Sequence, residues 1–336
     1  MKKTKIVSTI GPASENPETI IALAQAGVNI VRLNFSHGDF AEHQPRVDGA
    51  RAASEKLGQP LEILQDLGGP KIRIGMFAVE PVELVPGARF TLTTDTVEGT
   101  VDKVSVNYKP LATEVKVGEM IFLNDGKQKL QVVEINGNDV VTEVISGGSI
   151  KSKRGVNLPD SSLSIKALTD KDIADLEFGV QNKVDYMALS FVRSAQDIAD
   201  LRKILDDKGC TAKIIAKVET PQAIKDIDAI IAAADGIMVA RGDLAIEVPF
   251  ERVPAYQKMM VKKCNEAGKF IIVATQMMES MMNSSQPSRA DVSDVYNAVL
   301  DGADAVMTSG ETAQRENPVD VIVAMTKVIV EAEKAL

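Results

Sequence analysis

Two residues apart on a strand, side chains point to the same side of a sheet, and the run KIIAKVET sets Lys217 and Glu219 in that relation. On a surface loop they would form an ordinary ion pair. At the end of a buried strand they would be a cation and a carboxylate held together at a desolvation cost, which asks for a purpose. One strand–helix unit later, GIMVARGD brings Asp243 to the next polar end. Neighbouring parallel strands lie about 4.8 Å apart, so Glu219 and Asp243 can share one ion. Carboxylate oxygens without histidine or thiolate favour Mg2+ or Mn2+, completed by water and substrate oxygens. The plain alternative pairs each carboxylate with Lys217 or Arg241.

Phosphoryl transfer needs charge neutralisation and in-line positioning rather than covalent machinery. Arg32, Arg73, Lys217 and a carboxylate-bound divalent ion are suited to that task. No GxxxxGK[ST] occurs, so nucleotide phosphates would not rest in a P-loop. The glycine of ARGD would let backbone N–H groups approach an anion before the next helix.

The elements that must position these residues are short β-branched runs, each ending in polar or glycine residues: KIVSTIG, NIVRLNFSHG, LEILQDLGG, DYMALSFVRS, KIIAKVET, GIMVARGD, FIIVATQMMES and DAVMTSGET. Amphipathic segments such as NPETIIALAQAG separate most of them. Alternating strand and helix predicts a parallel sheet with right-handed crossovers. Eight units favour a closed (β/α)8 TIM barrel, an α/β fold, although periodicity alone also admits an open doubly wound sheet. The polar strand ends, at Arg32, Asn34, Ser36, Asp66, Ser190, Lys217, Glu219, Arg241, Asp243, Thr275, Ser309 and Glu311, would then face one mouth.

One stretch breaks the rhythm. Residues 72–157 show no strong helical pattern but alternating runs (ARFTLTT, EMIFLN, KLQVVEI, DVVTEVI) between PG, NDG, NGN and SGG turns. The pattern predicts a small all-β, barrel-like domain inserted after the third strand, a lid at the barrel mouth, with the barrel formed by 1–71 and 158–336.

Composition narrows the class. Net charge is −9, Trp is absent and no basic run is interleaved with aromatics, which argues against nucleic acid. No apolar stretch is long enough for a membrane span, and the start lacks a secretory h-region. Cys210 and Cys264 are isolated, as expected of reduced thiols in a cytoplasmic protein. His37 and His43 are the only histidines, so a histidine-rich metal centre is excluded.

The blocks STIGPAS, VRLNFSHG, DLGGPKIR, RGVNLP, ALSFVRS, IIAKVET, GIMVARGDLAIEVP, VATQMMESM and LDGADAVMTSGETA resemble, in order, the signature blocks of the pyruvate kinase family. The resemblance implies phosphoryl transfer from phosphoenolpyruvate to ADP, a glycolytic step yielding pyruvate and ATP, with Mg2+ or Mn2+ as cofactor. By position it implies Lys217 as transition-state stabiliser, Arg32 at the transferring phosphate, and Glu219 with Asp243 on the divalent ion. Gly242 and Asp243 would receive the substrate carboxylate, and Thr275 would lie at the substrate methylene, where the enolate is protonated. Asn34, Phe35, Ser36, His37, Arg73 and Arg154 match nucleotide-side positions. Glu311 matches an acid set behind the site.

Four departures stand out. Arg154 occupies a position usually held by lysine, and Gly68 one usually held by a long polar side chain. Potassium-dependent members carry threonine and glutamate where this chain has Leu67 and Lys71. Asn34, Ser36, Asp66 and the Leu67 carbonyl are the family's monovalent-cation positions, and the Lys71 ammonium is expected to replace K+. Most members continue into a C-terminal α/β domain carrying effector sites. Nothing similar follows the last helical pattern here, so control through such a domain is expected to be absent, with the barrel domain available for a homo-oligomer. Two other readings remain at this level: a pyruvate kinase-like binding protein impaired in catalysis, and a Mg2+-dependent lyase or aldolase using Lys217 as a Schiff base.

Overall fold

The eight β-branched runs become eight parallel strands in a computed structural model that describes residues 2–336. They are Lys5–Thr9, Ile30–Asn34, Glu62–Asp66, Tyr186–Leu189, Lys213–Val218, Gly236–Ala240, Phe270–Ala274 and Ala305–Thr308. The ring closes where the first strand pairs with the eighth, Lys5 opposite Ala305 and Ser8 opposite Thr308. The closed barrel predicted from strand–helix alternation is therefore the fold, and the open sheet is not.

Each strand is buried on both faces, which is why its sequence is nearly continuous apolar rather than alternating. In the fifth strand, Ile214, Ala216 and Val218 face outward and Ile215 faces inward, all fully buried. Interior side chains from all eight strands form one cluster, including Val7, Ile30, Leu64, Ala188, Ile215, Met238, Ile272 and Ala305. Each buried Ile, Leu or Met contributes roughly 1.5–3 kcal/mol.

The flanking helices start on sequence-encoded caps. Asn16 with Pro17 opens Pro17–Ala26, and capping boxes open Asp170–Gln181, Ala195–Asp207 and Arg289–Leu300. No helix among the described residues is long and apolar enough to cross a membrane.

The chain divides into two compact units, the second comprising Pro70–Lys166 and Ala245–Phe250. Its six-stranded sheet runs Val156–Asn157, Met120–Leu123, Gln128–Asn136, Asp139–Ser146, Arg89–Thr93 and Lys103–Ser105 in spatial order. A two-stranded sheet joins Gly148–Ile150 to Val82–Leu84. Phe90, Leu92, Ile121, Leu130 and Val140 lie in its single core with Val82, Leu84 and Ile150 of the smaller sheet. The pairing is antiparallel except between the last two strands of the larger sheet. One short helix, Leu111–Glu114, forms where the sequence showed no helical period. Ala245–Phe250 joins this unit locally through Asn157 Nδ2, which donates to Glu247 Oε1 at 2.7 Å.

Candidate active site

The interior residues fix which strand-end side chains turn into the barrel. Counting two onward from Ile30, Leu64, Ala188 and Ile215 reaches Arg32, Asp66, Ser190 and Lys217, a polar layer directly beyond the apolar one. All four are buried, Arg32 at 8% and Lys217 at 9% relative exposure. Two residues further, just past the end of the fifth strand, comes Glu219, at 1%. The chain turns immediately after it, because Thr220 Oγ1 accepts from Ala223 N and starts the helix Pro221–Lys225 with Pro221 at its first position.

Asp66 is the hub of this layer. Its Oδ2 accepts from Arg32 Nε at 2.7 Å, while its Oδ1 lies 3.1 Å from Lys217 Nζ. Arg32 Nη1 also donates to Thr9 Oγ1 at 2.8 Å. Lys217 Nζ donates to Ser190 Oγ at 2.6 Å. Ser190 in turn gives its proton to the Leu67 carbonyl at 2.7 Å, leaving lone pairs toward the ammonium. Glu219 Oε2 accepts from the Phe191 N–H at 2.8 Å. Glu219 Oε1 lies 3.0 Å from Lys217 Nζ but out of hydrogen-bond alignment, so this buried oxygen accepts no hydrogen bond. An orphaned carboxylate oxygen is costly in a buried site and fits a cation.

The electrostatics follow. Burial would push the Lys217 ammonium down, but Asp66 and then Glu219 overcome it and hold its pKa above the usual lysine range. A lysine so held is a poor amine nucleophile, which disfavours Schiff-base chemistry. Burial likewise opposes the Asp66 carboxylate, yet Lys217 and Arg32 together keep it below its ordinary value. Burial dominates at Glu219 and pushes it up to about 7, with the Asp243 charge adding to the rise and Lys217 opposing it. Asp243 thus acts electrostatically on both Glu219 and Lys217. The plain pairing of Asp243 with Arg241 does not form, because Arg241 takes Asp294 with Nη1 at 2.6 Å and Nη2 at 2.7 Å. No cluster of three or more His, Cys, Asp or Glu side chains suited to a metal is found among the described residues. The protein offers two carboxylates, a set that Mg2+ typically completes with waters and substrate oxygens.

At the seventh strand's end, Thr275 has φ +66°, an unusual conformation for a β-branched residue that costs about 1–3 kcal/mol. Its Oγ1 accepts from the Gly242 N–H at 2.7 Å and donates to the Ala274 carbonyl at 2.6 Å. The Gly242 donor expected to meet an anion is thus engaged with Thr275 here. After the second strand, Asn34 Oδ1 accepts from Ser36 N at 3.1 Å, and Ser36 and His37 are exposed. The Phe35 ring is buried and stacks on His43 with centroids 4.2 Å apart. The Phe35 carbonyl accepts from Lys171 Nζ at 3.0 Å. Lys71, Arg73 and Arg154 belong to the second unit. There Arg73 Nη1 donates to the Lys153 carbonyl at 3.1 Å, and Lys71 packs against Gly155. Glu311 is buried and accepts from Ser309 N at 2.6 Å; burial raises its pKa, and Glu279 and Asp291 add to the rise.

Sequence reasoning saw Asp66 and Ser190 as strand ends but not as partners of Lys217. Strand-to-strand distance was the missing information. Asp294 was not singled out at all, although helical period sets it beside the buried positions Asp291, Val295 and Ala298, a place where a carboxylate needs a partner.

These features define a (β/α)8-barrel protein with a buried cation–carboxylate layer at the carboxyl ends of its strands. Residues 1–322 match the family described as pyruvate kinase, barrel domain. The chain is 45% identical over 339 residues to a pyruvate kinase of Bacillus licheniformis, covering 100% of this chain and 58% of that protein. It is 46% identical over 332 residues to one of Corynebacterium glutamicum, covering 99% and 70%. A crystal structure of a pyruvate kinase from Cryptosporidium parvum superposes with a TM-score of 0.97 at 38% identity, covering 100% of this chain and 70% of that one. The chain belongs to the pyruvate kinase family.

Proposed function

We propose that this chain catalyses phosphoryl transfer from phosphoenolpyruvate to ADP, giving pyruvate and ATP. The observation that carries this reading is the buried Lys217 ammonium, fixed among Ser190 Oγ, Glu219 Oε1 and Asp66 Oδ1 at 2.6, 3.0 and 3.1 Å. Such a preoriented positive charge in a water-poor site stabilises charge that develops during reaction more than charge present at the start. Lys217 keeps its proton and meets the negative charge of the phosphoryl group and the enolate oxygen. Arg32, held by Asp66 and Thr9, orients the phosphate. Thr275, its hydroxyl held by the Gly242 N–H, lies at the methylene end, where the enolate takes up its proton, and the turn at Gly242 and Asp243 receives the substrate carboxylate.

Glu219 and Asp243 would hold the divalent ion, Mg2+ or Mn2+; the unsatisfied Glu219 Oε1 supports this assignment. Bound there, the ion would supply electrostatic stabilisation of the charged oxygens. Asn34, Phe35 through its backbone, Ser36 and His37 in the barrel, and Arg73 and Arg154 in the inserted unit, match the family's nucleotide-side positions. Asn34, Ser36, Asp66 and the Leu67 carbonyl match the family's monovalent-cation positions, and the Lys71 charge, in place of the glutamate of potassium-dependent members, is what makes K+ dispensable in this reading.

The test is pyruvate formation from phosphoenolpyruvate and ADP with Mg2+, beside a Lys217→Met variant. Turnover in the parent that vanishes in the variant is expected. A parent without turnover sinks the reading, and a variant that keeps it removes Lys217 from its role.

A further inference from the structure

Arg241 sits at a strand end yet does not face the charged layer. Its guanidinium closes on the turn after the seventh strand, donating from Nη2 to the Thr275 carbonyl at 2.6 Å and from Nε to the Ala274 carbonyl at 3.2 Å. The outer edge of the same fork is held by both oxygens of Asp294, on the helix Arg289–Leu300, at 2.6 and 2.7 Å. Gln257 Oε1, on the helix Val253–Ala267, accepts from Nη1 at 3.3 Å. One side chain therefore ties the sixth strand's end, the seventh strand's end and two helices.

The residue it grips is the strained one. Thr275 and Gln276 follow each other with φ +66° and +57°, and neither is glycine. Such a pair persists only where its surroundings over-determine it. The two carbonyls that Arg241 holds flank the Thr275 Cα, and the backbone N–H next to Arg241, that of Gly242, holds the Thr275 hydroxyl from the other side. Lysine could not reproduce this grip, since it lacks the planar fork that serves two carbonyls and a bidentate carboxylate together.

We propose that the Arg241–Asp294 pair is a positioning device for the reaction: it locks Thr275 into its left-handed conformation and so fixes the hydroxyl at the substrate's methylene end. Arg241 acts through Thr275 and touches no substrate atom. The inference rests on the phosphoryl-transfer reading and adds to it a residue pair whose work is backbone geometry.

The experiment is a double-mutant cycle on kcat and KM, with Thr275→Ala, Arg241→Gln, Asp294→Asn, Arg241→Lys and the combination of Thr275→Ala with Arg241→Gln. In the parent background, Arg241→Gln is expected to lower kcat about 10- to 100-fold with little change in the KM for ADP, the scale of a misplaced group. Arg241→Lys should not rescue it. Asp294→Asn, which keeps the fold with one hydrogen bond to Arg241, should show the same split to a smaller degree. In the Thr275→Ala background, Arg241→Gln should cost almost nothing more. A crystal structure of Arg241→Gln should show Thr275 outside the left-handed region. Equal losses of kcat in both backgrounds, or an unmoved Thr275 backbone, overturn the inference while the phosphoryl-transfer reading stands. A parent without turnover removes both.

Discussion

Asp66 Oδ1 lies 3.1 Å from Lys217 Nζ, and Asp66 raises the ammonium's pKa more than Glu219 does, although Glu219 is only two residues away in the chain. The main counterion of Lys217 therefore comes from the third strand, and Glu219 is left with an oxygen that no hydrogen bond satisfies. Asp66→Asn should leave two buried cations without their shared carboxylate. Stability is expected to fall by about 3–5 kcal/mol, the usual cost of breaking a buried pair. Urea unfolding of the variant beside the parent measures it. An unchanged midpoint would mean that the layer is far wetter than its burial indicates.

Glu219→Gln keeps the shape of the side chain and removes its charge. The parent should gain thermal stability on addition of Mg2+ or Mn2+, because an ion that binds only the folded state stabilises it by mass action. In the variant this gain should be lost. Melting curves with and without metal read the difference without any need for turnover.

His43 gives the chain an acid-side weakness. Arg46 can only donate, so the approach of its Nη1 to His43 Nδ1 at 3.4 Å makes Nδ1 the acceptor and leaves Nε2–H to donate to the His37 carbonyl at 3.0 Å. The ring is neutral in this arrangement. Burial, with Arg46 and Lys171 adding to it, holds its pKa below the ordinary 6.5, while the His37 carbonyl and Asp39 oppose. A depressed folded-state pKa contributes stability above 6.5 that is lost as pH falls through the lower, folded value. The urea midpoint should decline as pH falls below about 6.5 toward the lowered folded-state value, and His43→Gln should flatten the decline.

Replacing K+ with Na+ or a bulky organic cation should leave the rate unchanged if Lys71 supplies the monovalent charge. Lys71→Glu should then make the rate respond to K+. A parent whose rate collapses without K+ would reject this role for Lys71.

Ile215 fills the barrel interior one step before Lys217. Ile215→Ala should cost about 2–5 kcal/mol through lost burial and the cavity left behind. Denaturant unfolding measures the stability, and kcat should fall with it, because the strand that aims Lys217 loses its packing.

The barrel was legible in the sequence because strands buried on both faces must be short, apolar and β-branched, and because each ends in polar residues. The inserted unit was legible through its alternating runs and glycine turns. The membership of Ala245–Phe250 in that unit was not, since a short apolar run gives no sign of which core it joins. At the site, residue parity along one strand predicted that Lys217 and Glu219 share a side. It could not predict Asp66 or Ser190 as partners, because that depends on closure and register across strands. Arg241 was the misleading residue. Its type and position suggested the mouth, but the fork turned to Asp294 and to two carbonyls, and a helix carboxylate far along the chain decided the matter.

Closure of the ring by Lys5 against Ala305 also sets an order of events during synthesis. The first strand cannot find its second neighbour until about 300 further residues have been made, so an unpaired edge persists through that stretch of translation. Pairings this distant are slow to form, and exposed edges recruit other chains meanwhile. Ribosome-bound fragments ending before the eighth strand should therefore be the aggregation-prone species of this protein, and the ones that chaperones hold.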